Sequence, residues 1–269
     1  MLPKSQPNTT GLLLTLDRGI RVLEAIADGG GRASAKELSL GLAINLGTMY
    51  QLLRTLESNG YIVRLPGGTF RLGTRIGFLI DRFDLETAPP KQLIDKLHEL
   101  RDVTEETVYI SMAQGTDITV VASLEGTQRL RVGNSTVGYT DHPHARASGK
   151  AFLSACEPDE VDRYLRGREL TALTSNTITN RDTLTEELKQ ARRQGVAYDR
   201  EEFEQGIVCI GAAIIGADGK PVGSYTVALP SGRFPVSQDS ITADLLAASE
   251  ASSVSLGYDG PYPLPEGDA

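Results

Sequence analysis

Cys209, His144 and Asp199 together hold the side chains of a thiol nucleophile, a base and an orienting acid. The surroundings of the cysteine speak against that chemistry. Val208-Cys-Ile-Gly211 is an apolar run, in which a free thiol behaves as a small buried hydrophobe. It also lacks the sharp turn that presents a hydrolase nucleophile. Adding His142, which alternates with His144 around Pro143, makes a metal set with Asp199 and Cys209. Structural zinc sites use tighter Cys/His pairs than this. A loop His and a helix-entry His with hydrogen-bonded neighbours is the preferred account. Neither catalysis, a cofactor nor a metal is expected.

A different chemistry stands nearer the amino terminus. Gly47, Thr48, Tyr50, Gln51 and Arg54 fall on one side of a helix that begins after Asn45 and runs to about Ser58. Glutamine can bond an adenine edge in two places, arginine a guanine, and threonine a phosphate or a methyl group. Arg64 and Arg71, a few residues on, are available to phosphates. These side chains suit the reading of double-stranded DNA.

The elements that must hold them can be traced locally. Ser34 with Glu37 forms a capping box at the start of a first short helix, which Gly41 stops. Asn45 caps the second, where Met49, Leu52, Leu53 and Leu56 make one apolar stripe, and Asn59-Gly60 ends it. Tyr61–Leu65 and Thr69–Leu72 flank Pro66-Gly67-Gly68 as a hairpin. Helix, turn, helix and hairpin in that order describe a winged helix-turn-helix. An amphipathic helical hairpin with a solvated polar face is the plainer alternative. Upstream, Met1–Thr10 is expected to be disordered, and Thr15 to cap a helix through Asp28 with Leu16, Ile20, Leu23 and Ala27 on its apolar stripe.

The chain carries 27 Lys+Arg against 35 Asp+Glu, a net charge of −8. The first 80 residues hold 9 basic and 5 acidic side chains, a net +4, so the remainder is at −12. An acidic body is repelled by DNA except at its basic head. So small an excess suggests that dimerisation supplies affinity. A length of 269 residues suits two domains. Two cysteines, the absence of a signal peptide and apolar runs far short of the roughly 18 residues of a membrane span point to a cytoplasmic protein with reduced thiols.

Beyond the hairpin, Ile76, Phe78, Leu79 and Phe83 follow helical spacing from Thr74, and Asp84–Ala88 breaks it. Pro89-Pro90 starts another helix with Leu93, Leu97 and Leu100 on one face. Residues 74–105 are expected to link two domains, their leucines forming either a dimer contact or an ordinary core face. From Thr107 strands are expected at 108–113, 118–124, 128–132, 208–215 and 222–229. Helices are expected at 148–155, 158–165, from Thr183 to Gly195, and at 237–254. The fold class is α+β with a mainly antiparallel sheet. The Gly- and Pro-rich end from Gly257 is expected to be a flexible tail.

Three separated blocks make the chain resemble the IclR family of bacterial transcriptional regulators, over about Leu16 to Val254. The first is Leu52-Leu-Arg-Thr-Leu56 with Asn59-Gly-Tyr61 and Phe70-Arg-Leu-Gly73. The second is His144–Leu153, HARASGKAFL. The third is Gly195-Val-Ala-Tyr-Asp199 with Glu201-Glu202, Gly206 and Cys209, followed by Pro230. The resemblance implies a winged helix-turn-helix at 11–73, linker helices at 74–105, a GAF-like effector-binding domain at 106–256 and a tail at 257–269. It implies a homodimer or homotetramer that binds operator DNA, acts as a repressor in preference to an activator, and answers to a small organic or aromatic acid.

Carried over by position, the effector site would be Ala147, Ser148, Asp199, Cys209, Thr226 and Ala228. Ala147 and Ser148 fall at a helix start, where free N–H groups attract a carboxylate. Thr226, Ala228 and Ser224 alternate along one strand and so share a side. Ala228 stands where serine is common in the family. Arg146 replaces a small residue, and either clamps a carboxylate or lies on the surface, the surface being favoured. In the recognition helix Asn45, Leu46, Gly47 and Gln51 replace the Pro, basic, Ser and Arg residues often found there. That departure keeps open a second function, an effector-sensing interaction module whose head has lost DNA.

Overall fold

The computed structural model describes residues 13–115, 117–133 and 137–265, with backbone alone for 83–87. The disorder expected of residues 1–10 lies outside the described residues. Two compact units meet between Ala88 and Pro89, so the stretch expected as one linker is divided between them. Among the described residues no helix is long and apolar enough to cross a membrane.

The first unit runs α1 (Leu14–Asp28), β1 (Ala33–Ser34), α2 (Ala35–Gly41), α3 (Leu46–Ser58), β2 (Ile62–Arg64), β3 (Thr69–Leu72) and α4 (Thr74–Thr87). The capping box forms: the Glu37 N–H donates to Ser34 Oγ at 3.3 Å and the Ser34 N–H to Glu37 Oε2 at 2.9 Å. Between α2 and α3 the chain turns through Ala43 at φ 52°. Asn45 Oδ1 then accepts the Thr48 N–H at 2.8 Å, fixing where α3 starts. The wing is a three-stranded antiparallel sheet in the order β1-β3-β2. Gly67 and Gly68, at φ 97° and 81°, make its turn, a conformation that costs glycine little.

Two expectations fail in α1. Leu13, not Thr15, precedes the helix, and no side chain caps it. The helix carries two apolar stripes, and the core takes Val22 and Ile26 rather than Leu16, Ile20 and Ala27. Periodicity alone does not choose between two such stripes on one helix. The neighbours choose: Val22 and Ile26 join Leu38, Met49, Leu53, Ile62 and Phe70. Leu16 and Ile20 are left exposed, as are Phe78, Leu79 and Ile80 of α4.

The second unit is a five-stranded sheet with helices on both faces. Its elements are α5 (Lys91–Thr104), β4 (Thr107–Gln114), β5 (Asp117–Leu124), α6 (Ala147–Ala155), α7 (Pro158–Leu165), α8 (Arg181–Gln194), β6 (Ala197–Arg200), β7 (Ile207–Ile215), β8 (Pro221–Pro230) and α9 (Phe234–Ser255). The strand order is β5-β4-β8-β7-β6, and every pairing is antiparallel. Alternation sorts the side chains. Val108, Ile110, Ile210, Ile214, Val227 and Leu229 form one core with α5 and α9. Their neighbours Tyr109, Cys209 and Ala228 pack instead with Ala147 of α6. Leu93, Leu97 and Leu100 are fully buried in the first of these cores. They form a core face, and a dimer contact made by these leucines is ruled out.

Residues 128–132 are not a strand. Their backbone is engaged elsewhere: the Thr127 and Gln128 N–H groups both reach Glu105 O, at 2.9 and 3.3 Å, and Thr107 Oγ1 donates to Val132 O at 2.5 Å. Strand β6 was not foreseen. Asn180, rather than Thr183, caps α8, accepting the Thr183 N–H at 3.0 Å. The stretch expected as a loose tail is packed down through Pro265. Tyr262 Oη donates to Ala213 O at 2.7 Å, Arg192 Nε donates to Pro265 O at 2.9 Å, and Tyr258, Tyr262 and Leu264 cover Ala155, Ala213 and Ile215. Aromatic and apolar residues among the prolines make this contact favourable.

Candidate functional site

Two places hold the residues singled out from the sequence. In the first unit, α3 buries Met49, Leu52 and Leu53. Its opposite side leaves Gly47, Tyr50, Gln51 and Arg54 exposed and Thr48 half-buried. Tyr50 is 49% exposed, an open position for so large a ring. Arg64 and Arg71 are exposed on β2 and β3, Arg64 pairing in register with Phe70 and Arg71 with Val63. The polar helix face and the basic wing therefore belong to one compact unit, and none of their side chains is consumed by the core.

In the second unit the site grows from the sheet. Thr226 pairs with Tyr109 on one side and Gly211 on the other. One step along, Ala228 pairs with Cys209, which pairs with Asp199. Alternation turns this whole patch toward α6. Gly211 is required there: a Cβ would stand 2.6 Å from Ala147 O. A side chain would thus push the start of α6 off the sheet. Gly149 is likewise pressed against the Pro143 backbone, and Ser224 Oγ donates to Ser148 O at 3.1 Å. Ala147, Ser148, Asp199, Cys209, Thr226 and Ala228 are accordingly buried in one layer. Tyr109, Tyr139 and Phe203 add aromatic walls, the last two meeting edge to face at 5.6 Å.

Arg146, favoured as a surface residue, is only 4% exposed. It precedes α6 and its guanidinium turns inward. Nη2 donates to Ile118 O and Thr140 O, each at 3.0 Å, and the group lies 5.2 Å from the Tyr139 ring. The surface assignment overlooked how much chain covers this corner: β5 and the 139–140 segment both supply carbonyls to it.

Burial governs the electrostatics. It lifts the Asp199 carboxyl to about 7, assisted by Glu202 and opposed by the Phe203 and Glu202 N–H donors and by Lys150. Those N–H groups reach Asp199 Oδ1 at 3.1 and 2.7 Å. Burial, reinforced by Asp199, pushes the Cys209 thiol well up, the opposite of an activated thiolate. His144 is lowered, chiefly by burial, and its Nε2 lies 3.1 Å from Thr171 O. Among the described residues no group of three or more His, Cys, Asp and Glu is placed to hold a metal ion.

Sequence reading missed the pair that fastens this layer. Lys150, wholly buried on α6, lies 2.5 Å from Glu202 Oε1 and 3.6 Å from Glu187 Oε1. Glu201, at φ 61°, turns the chain after β6 and accepts the Gly206 N–H at 2.9 Å. The acidic block after Asp199 is thus a turn that presents Glu202 to Lys150. A lone lysine in the otherwise apolar and small-residue ASGKAFLSA was the available signal; buried lysines demand partners.

The chain has known relatives. The family description "IclR helix-turn-helix domain" matches residues 15–66, and "Bacterial transcriptional regulator IclR C-terminal" matches residues 91–254. The HTH-type transcriptional regulator Rv1719 of Mycobacterium tuberculosis is 32% identical over 92% of this chain and 94% of its own. The transcriptional repressor IclR of Escherichia coli is 26% identical over 93% and 92%. The crystal structure of the Thermotoga maritima IclR superimposes with a TM-score of 0.74 at 27% identity, covering 92% of this chain and all of that one. With both domains matched in order, the chain belongs to the IclR family of DNA-binding transcriptional regulators and is not an enzyme.

Proposed function

We propose that the protein is a repressor that reads operator DNA through α3 and the wing and is controlled by a small organic or aromatic acid bound between α6 and the sheet. Thr48, Tyr50, Gln51 and Arg54 face the bases and backbone of a major groove, and Arg64 and Arg71 hold phosphates beside it. The observation that carries this reading is the exposure of Tyr50, Gln51 and Arg54 on the side of α3 opposite buried Met49, Leu52 and Leu53.

The working form is a homodimer or homotetramer. Leu16 and Ile20 of α1 and Phe78, Leu79 and Ile80 of α4 are exposed apolar side chains in the DNA-binding unit, and a second copy is their occupant. Two symmetric heads read half-sites on the order of 34 Å, or a multiple, apart. Ala147, Ser148, Asp199, Cys209, Thr226 and Ala228, with Arg146, hold the effector. Binding shifts the population of head arrangements by no more than the effector's differential affinity for them.

Gel-shift titration on the DNA upstream of its own gene, in rising salt, tests the first half. Affinity falls steeply with salt if phosphates are neutralised; no binding at low salt favours the effector-sensing module instead. Asp199→Ala tests the second half: it spares DNA binding and abolishes the effector response, and a normal response removes Asp199 from the site.

A further inference from the structure

Arg146 is buried with no counter-charge among the described residues. An arginine offers five N–H donors. Nη2 uses its two on Ile118 O and Thr140 O, while Nε and Nη1, also buried, have no acceptor among the described residues. No described carboxylate is within ion-pair distance of the guanidinium; its ionisable surroundings are Tyr109, Tyr139, Tyr164 and, more weakly, Asp141. Two neutral carbonyls and a ring face return part of the solvation lost, but none carries a full negative charge. Proteins seldom retain such a group as scaffolding.

Its neighbours share the deficit. Among the described residues the hydroxyls of Tyr139, Tyr164 and Ser148 are buried and without partners, and that of Thr226 has only the Tyr109 hydroxyl beside it. Ser148 lies in the first turn of α6, a helix without a side-chain cap, so free backbone N–H groups point the same way. Thr226 stands in the sheet beneath, paired with the Gly211 that Ala147 overlies. One small region therefore collects unmet donors and a positive charge, and burying them costs stability unless something answers them.

We propose that Arg146 is the anchor for a negative charge on the effector, so that the ligand of this layer is an organic anion whose carboxylate lies against the guanidinium at the start of α6. This rests on the layer being the effector site. The aromatic rings of Tyr109, Tyr139 and Phe203 receive the body of the ligand, and the Ser148 and Thr226 hydroxyls its polar substituents. Neutral compounds of the same shape are excluded, because they leave the guanidinium uncompensated.

The test is thermal unfolding of the full-length protein, of Arg146→Met and of Arg146→Lys, in carboxylate-free buffer. The probes are acetate, pyruvate, benzoate and para-hydroxybenzoate, each beside its neutral amide. At least one acid raises the wild-type midpoint while its amide does not. Arg146→Met removes that rise, with affinity weakened roughly a hundredfold, and Arg146→Lys keeps part of it. Without ligand, Arg146→Met melts no lower than the wild type. The proposal falls if no acid exceeds its amide, or if Arg146→Met keeps the rise. Should Arg146→Met fail to fold, Arg146→Lys decides: undiminished acid binding overturns the assignment. An amide that stabilises all three proteins and alters DNA binding leaves the effector site standing and removes Arg146 from it. Loss of DNA response in every case, with no stabilisation, removes both.

Discussion

Lys150 Nζ and Glu202 Oε1 meet at 2.5 Å with the lysine wholly buried and the glutamate nearly so. They join α6 to the turn after β6, which also positions the two N–H groups bonded to Asp199. A buried pair of this kind often adds little over a hydrophobic replacement, whereas breaking it is costly because one charge is left alone.

Lys150→Met should therefore destabilise the second unit by about 3–5 kcal/mol. Lys150→Met combined with Glu202→Leu should recover much of that loss. Urea unfolding of the single and double variants checks both; a double variant as unstable as the single one would deny the pairing its role.

Asp199 imposes a pH dependence of known sign. Its folded carboxyl is raised to about 7 from 3.8, so between those values the folded state holds a proton that the unfolded state has released. Stability from this group is full below pH 3.8 and declines as pH rises toward about 7. Asp199→Asn should flatten that decline. Lys150, Glu202 and Cys209 share the environment, so the comparison is between midpoint-against-pH curves of the two proteins; parallel curves would contradict it.

On the head, Gln51 and Arg71 should behave differently. Gln51→Ala should change base preference, by about 1–3 kcal/mol at one position. Arg71→Ala should weaken binding to all sequences alike and lower the slope of log affinity against log salt by about one. Binding to a set of single-base operator variants at two salt concentrations separates the effects.

Gly211→Val should displace the start of α6, since even a Cβ would stand 2.6 Å from Ala147 O. A cost of at least about 1–3 kcal/mol is expected, together with loss of effector stabilisation. A variant with wild-type stability and response would show that α6 moves freely over the sheet.

Much of the architecture was legible because it is local. Ser34 with Glu37 and Asn45 before α3 cap helices through hydrogen bonds spanning three residues, and sequence contains both ends of such contacts. Strands β4, β5, β7 and β8 were legible, though not β6, and with β8 the shared side of Ser224, Thr226 and Ala228. What stayed hidden depends on distant chain. Lys150 and Glu202 are 52 residues apart. The burial of Arg146 depends on Ile118 and Thr140 carbonyls, which no local pattern announces. The apolar stripe used by α1 is chosen by Leu38, Met49 and Phe70, and the docking of Tyr262 by the Ala213 carbonyl 49 residues away.

Arg146 and Lys150 are four residues apart, one turn along the same short rod, the Lys150 N–H donating to Arg146 O at 3.0 Å. Whatever tugs the outer cation must tow the inner one, and Lys150 is tied to the turn that fixes Asp199. If the proposed effector sits at the rod's tip, exchange of the Glu202 and Phe203 amide protons with deuterium should slow on its addition.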